Sequence, residues 1–373
     1  MQVHSAVFAA PAPGLETVTC KIRQDERRLA TTGPQNHLRA DTWLDDFYLA
    51  IICRENDRLN QLAQVPVEFL RASGAGFDAI SGRHESSRSS ALVSVIARHS
   101  FPTGHAEEGI AVLQEDAEEL IEGLEERPTR LGDAVHTTLT LAKGHCLLDP
   151  RAAVFPTWDA WVTAMQVSSA VFATAGSAGE TVRCRIAHKE RTLTATGPQW
   201  YVTADTWLTA FYLALVCRER DRITALCRVP LPLLRGNGSA GEHVHAWIDT
   251  LRTYWTGGPN LGRRLVAAVD GTDPEAARDP GTAGRLSYPP MEMFHRIIRD
   301  DRPGFNKALA NALRWHKEHW SEESRALEAT GLVALAPLAI ACIAHDAGFP
   351  VEVESDYLPA VLLGRDWLGE FPT

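Results

Sequence analysis

Positive charge is the first thing this sequence is short of. Its 37 Lys and Arg face 47 Asp and Glu, a formal net charge of −10 over 373 residues. A general nucleic-acid binder needs a basic footprint, so the balance argues against that class. A basic protein partner fits better, because opposite charges speed encounter. Familiar catalytic signatures are lacking as well: there is no GxSxG elbow, no Walker A loop and no paired Cys/His pattern. The seven cysteines form no CxxC and no zinc spacing, and their odd, scattered distribution fits reduced, mostly buried thiols in a cytosol. Long apolar runs are missing too. Leu332 to Ala344 is the most apolar stretch, yet it is too short to cross a bilayer and contains Pro337, so it reads as a buried core helix. The opening SAVFAAPAPG has no basic lead and has a counterpart deep in the chain, which makes it a helix and not a signal peptide.

What the chain does hold is a duplication. Met1 to Gly74 repeats Met165 to Gly238 without a gap, and roughly forty of about seventy-four positions agree. Val18, Cys20 and Ile22 alternate with polar residues, as do Val182, Cys184 and Ile186, a two-sided strand pattern. A polar turn (Gln24 to Glu26; His188 to Glu190) leads to a second short run, so each copy should contain a β-hairpin. After Gly33-Pro34 or Gly197-Pro198, Asp41 or Asp205 can cap a helix bearing Trp43 or Trp207, which ends in a shared charged turn, Arg218-Glu219-x-Asp221-Arg222 in the second copy. No histidine is common to both copies, so the repeat reads as architecture and not as a doubled site.

The first copy, 1–78, matches 165–242 but starts partway through a longer helix; a Gly/Ser-rich linker, 79–90, follows it, and 91–373 forms the main body. The first copy must cover its own apolar face, and docking on the main body would do so. His105 to Glu126 is amphipathic, with Ile110, Leu113, Ala117, Leu120, Ile121 and Leu124 on one stripe and a row of carboxylates opposite. Helices follow from Leu131 to Cys146 and from Trp158 to Ala175, and Val229-Pro230 with Pro232 should then stop regular structure. Further helices are expected at Val244 to Trp255, Leu261 to Val269, Met291 to Arg299, Phe305 to Trp320 and Gly331 to Ala347. Residues 278–290 read as a loop or broken helix, and Val351 to Glu354 as extended chain before a last helix near Leu358. The whole predicts a mainly α protein: a multi-helix bundle or solenoid-like layer of antiparallel helices, with a short hairpin in each copy.

Several residues are candidates for chemistry. Gly236-x-Gly238-x-x-Gly241 matches the dinucleotide fingerprint in letters only, since the proline-rich run before it cannot be a central strand. His316 and His319, with His345-Asp346 downstream, could serve a metal-dependent hydrolase, but HKEH is not HExxH and His316 falls on an apolar stripe. Most of the ten tryptophans lie on helical apolar stripes and read as core. The acidic face with Glu118, Glu119 and Glu122, and the C-terminal cluster Glu352, Glu354, Asp356 and Tyr357, are the candidate contacts for a basic partner, Tyr357 being read as an exposed aromatic.

The strings TLTLAKGHCLLDP, TWDAWVTAMQ, CRIAHKERTLTATGP, LVAAVDGTDPEAAR, GFNKALANALRWHKEHW, GLVALAPLAIACIAHDAGFPVEVESDYLP and the closing WLGEFPT resemble the immunity protein 49 family of bacterial polymorphic toxin systems, over about Ala91 to Thr373. The chain departs from the pattern in its appended 1–78 copy and in the Pro/Gly-rich 278–284 stretch. The resemblance implies a cytoplasmic, non-catalytic protein without cofactor that binds and neutralises a cognate toxin. A metal-dependent hydrolase and a helical interaction scaffold are the readings set against it.

Overall fold

The computed structural model describes residues 94–373, apart from 237–239, 276, 278, 368 and 370–372, together with the backbone of Thr17–Ile22 and Asp25–Ala30. The chain divides into two compact units, Met1–Ser90 and Ala91–Thr373. In the first, β1 (Thr17–Ile22) and β2 (Asp25–Ala30) pair antiparallel with Thr17 opposite Ala30. The helix of this copy, its docking and the 79–90 linker lie outside the described residues.

The second unit opens with β3 (Ser94–Ile96), followed by α1 (Ala106–Glu122), α2 (Leu131–Leu148) and α3 (Phe155–Ala175). A hairpin, β4 (Thr181–Ile186) and β5 (Lys189–Thr194), leads to α4 (Ala204–Val216), α5 (Arg220–Cys227), α6 (Leu231–Arg235), α7 (Glu242–Thr256) and α8 (Leu261–Asp270). Then come α9 (Tyr288–Ile298), α10 (Arg302–Trp320), α11 (Leu335–Asp346), β6 (Val353–Ser355) and α12 (Ala360–Gly364). The fold is mainly α, and β3 and β6 add a short parallel pair in which Ser94 faces Val353.

Neighbouring helices form a continuous series: α1 packs on α2, α2 on α3, α3 on α4, α4 on α11, α11 on α9 and α9 on α10. The α7–α8 pair closes it, with α7 against α4 and α5 and α8 against α9. The middle of the series is the most deeply buried. Helix α3 is covered almost all round because Ala160, Ala164, Ser168, Ala170 and Thr174 keep its surface low and admit neighbours closely. Helix α11 is the expected core helix: Leu338, Ala339, Ile340 and Ala341 are all fully buried. Pro337 sits in its first turn, where a missing N–H breaks no ladder bond. Ala329–Asp346 is the one described stretch with the length and hydropathy of a membrane span, and 61% of it is buried inside the fold.

Proline and cap chemistry account for the departures from expectation. Helix α4 is capped by Thr203, whose hydroxyl accepts the Thr206 N–H at 3.2 Å, while Asp205 lies in the first turn. Pro232 is the second residue of the one-turn α6 instead of stopping structure, because a proline in the first turn sacrifices no bond. Before Pro289-Pro290 the chain takes a helical turn at Pro280–Thr282 and a π-helical one over Ala283–Ser287, since two successive prolines cannot donate to the carbonyls behind them. In the hairpin the turn is Ala187-His188, both left-handed at φ 48° and 63°, so Lys189 and Glu190 belong to β5. Thr181 stands opposite Thr194, the same register as in the first copy.

Candidate protein-interaction surface

The stripe on α1 behaves as its spacing requires. Ala117, Leu120 and Ile121 are buried, which turns Glu118 and Glu119 to solvent. Gln114 Nε2 donates to Glu118 at 2.6 Å. Glu122 has a different role: its carboxylate receives Lys189 Nζ at 2.8 Å and Arg191 Nη2 at 3.0 Å. Those two hydrogen bonds, Arg191's first, hold its carboxyl down at about 2. Glu125 accepts the Thr192 N–H at 2.7 Å. The end of α1 thus clasps β5, and the free part of the acidic row lies earlier in the helix.

Glu352, Glu354 and Asp356 are exposed along and just beyond β6, with Val353 turned inward between them. Their backbone is held: Glu352 N–H donates to Asn306 Oδ1 at 2.8 Å, and the Asp356 carbonyl accepts from Arg98 at 2.7 Å. Tyr357 is a correction, because it is 0% exposed. The Ser355 hydroxyl donates to the Ile96 carbonyl and accepts the Tyr357 N–H, which turns the chain inward at the strand end. The Tyr357 hydroxyl then accepts the His99 N–H and lies 2.8 Å from His99 Nδ1, with the Tyr357 ring edge-on to His316. It is a core residue, and the acidic segment presents carboxylates without an aromatic.

The imidazoles of His316 and His319 are spent on packing. His316 Nε2 lies 2.9 Å from the Gly331 carbonyl, and burial pushes its pKa down to about 3. A side chain at 331 would clash, since a Cβ there would come within 2.6 Å of Trp320 Cγ. His319 is buried against Trp320, whereas Glu318 between the two histidines faces solvent. His345 lies 3.5 Å from Asp346, and Asp346 is gripped by Arg218. Among the described residues no three His, Cys, Asp or Glu side chains gather to hold a metal. Gly236 and Gly241 flank helices as C-cap and N-cap, with no strand before them. Cys146, Cys184, Cys217, Cys227 and Cys342 are buried thiols.

Besides Arg191, three cations of the described interior escaped the sequence reading. Arg98 donates to the Cys146 carbonyl near the end of α2, Lys143 to the Thr330 carbonyl at 2.9 Å, and Arg218 ties α4 to α11 and α12. Only Arg218 left a trace, as the Arg shared by the charged turns of both copies; Lys143 differs from a surface lysine in nothing but its place between Ala142 and Cys146 on an apolar stripe.

These features define a class: a mainly α protein whose buried polar groups join helix to helix and whose exposed edges carry carboxylates. The family model described as immunity protein 49 matches residues 1–122 and 149–362. The chain belongs to the immunity protein 49 family. The match takes in the N-terminal copy, which the resemblance seen in the sequence had left outside the pattern. No curated protein and no solved structure matches the chain.

Proposed function

We propose that this member of an immunity-protein family binds a cognate bacterial polymorphic toxin and neutralises it by covering it, in the cytoplasm and without catalysis of its own. The observation that carries the reading is the family match over residues 1–122 and 149–362. The net charge of −10 favours a toxin with a basic face, since complementary charge raises association rates. Occlusion needs a stable interface of about 1,600 Å². Its steering edges are the solvent-facing carboxylates, Glu118 and Glu119 on α1 and Glu352, Glu354 and Asp356 around β6.

Co-expression with the product of the adjacent toxin-like gene tests this, scored by rescue of growth and by co-purification. Reversing Glu118 and Glu119, or Glu352, Glu354 and Asp356, to Lys should slow association by about tenfold at low salt. No rescue and no complex with any neighbouring toxin would sink the proposal, and an unchanged association rate in both reversals would remove the acidic edges from it.

A further inference from the structure

Where α2, α10 and the start of α11 meet, a cavity of about 140 Å³ is lined by Lys143, Arg285, His316, Trp320 and Thr330, with apolar groups such as Leu335 completing the wall. Its size is close to that of a ~150 Å³ protein cavity able to hold benzene. Lys143 is 4% exposed, and its ammonium donates to the Thr330 carbonyl at 2.9 Å. An ammonium has three donors, and no carboxylate is among the residues lining this cavity. Arg285 stands at the mouth, 42% exposed and joined to Glu322 at 2.7 Å. A buried cation without a counter-charge is costly. One negatively charged acceptor in the cavity would relieve that cost.

We infer that this cavity binds a small oxoanion, a carboxylate or phosphate group, between the Lys143 ammonium and the Arg285 guanidinium, with Trp320 in the wall beside it. The site is separate from the acidic edges proposed to meet the toxin, and it stands or falls independently of them. Burial pushes the Lys143 ammonium down to about 8, so it remains mostly charged at neutral pH. The groups around it do not change charge there. His316 is held at about 3 and the Cys146 thiol is pushed up to about 12, while burial lowers His99 and His319 on neighbouring elements. Affinity should therefore fall as pH rises through about 8, where Lys143 loses its proton.

The test is thermal unfolding of the full chain titrated with sodium acetate or sodium phosphate against sodium chloride at matched ionic strength. A saturable rise in Tm is expected with at least one of them at pH 7, weaker at pH 9.5, together with a shift of the Trp320 indole resonance in ¹⁵N-tryptophan-labelled protein. Acetate alone would mark a carboxylate ligand, phosphate alone a phosphate one. Lys143→Met should weaken binding by at least about tenfold, the loss expected on removing a charged donor. Arg285→Gln, at the exposed mouth, keeps the test open if Lys143→Met does not fold. No saturable rise with either anion, or an equal rise in both variants, would overturn the inference.

Discussion

Arg218 shows how much one side chain can hold. It is left-handed at φ 58°, a conformation few non-glycine residues adopt. Its guanidinium grips Asp346 with two bonds, of 3.1 and 3.2 Å, and donates to the carbonyls of Val216, Leu362 and Leu363 and to the Cys342 sulfur. The flat five-donor fork suits this arrangement, and an ammonium could not reproduce it. Arg218→Met should lower unfolding free energy by about 3–5 kcal/mol, as when a buried pair loses one partner, read from urea titration. A change under about 1 kcal/mol, the range of surface pairs, would show that the node is ornamental. Apart from Val216, its partners lie 124 to 145 residues further along the chain, so a shared charged turn was all that the sequence could reveal. Tyr357 failed in the opposite direction: three acidic neighbours made it look exposed, and its hydroxyl partner His99 is 258 residues away.

At the scale of elements, periodicity carried most of the weight. The stripe of α1 and the run Phe305, Leu309, Leu313, His316 and Trp320 of α10 are buried as their spacing requires. Alternation likewise placed the hairpins. The turn expected at His188 to Glu190 ran two residues into the second strand because Ala187-His188 contains no Gly or Asn, the usual marks of a two-residue connection. Tertiary contacts hold that turn instead. Gln166 on α3 accepts the Ala187 N–H at 2.9 Å, and Asp159 pairs with His188 at 2.7 Å. An L-residue in the left-handed region costs roughly 1–2 kcal/mol, of which Asn recovers part. Ala187→Asn should therefore stabilise the protein by about 0.5–1 kcal/mol with the fold unchanged, measured by thermal and urea unfolding. A lower Tm would mean that left-handed strain at Ala187 does not limit the stability of this turn.

For the whole molecule, the second unit has its own core, running from Ile96 to Leu362 through all the larger helices. The fragment 91–373 is accordingly expected to unfold in one cooperative urea transition, with far-UV circular dichroism of a mainly helical protein. A broad, multi-step loss of signal, or a fragment without helicity, would show that residues 1–90 are needed to complete the core. Consecutive helices pack together from α1 to α4 and at α9–α10, but the contacts of α4 with α11 and of α11 with α9 join distant stretches and were not legible beforehand.

The sequence by itself determined the helical class, the duplicated hairpin, the apolar faces and the family, because these depend on period, punctuation and composition, which are local properties of a chain. Only the tertiary structure decided which polar residues are structural. Glu122, Tyr357, His316 and Arg218 acquire their roles from partners brought in from distant elements, and a buried charge is recognised by its surroundings, which a linear pattern does not encode.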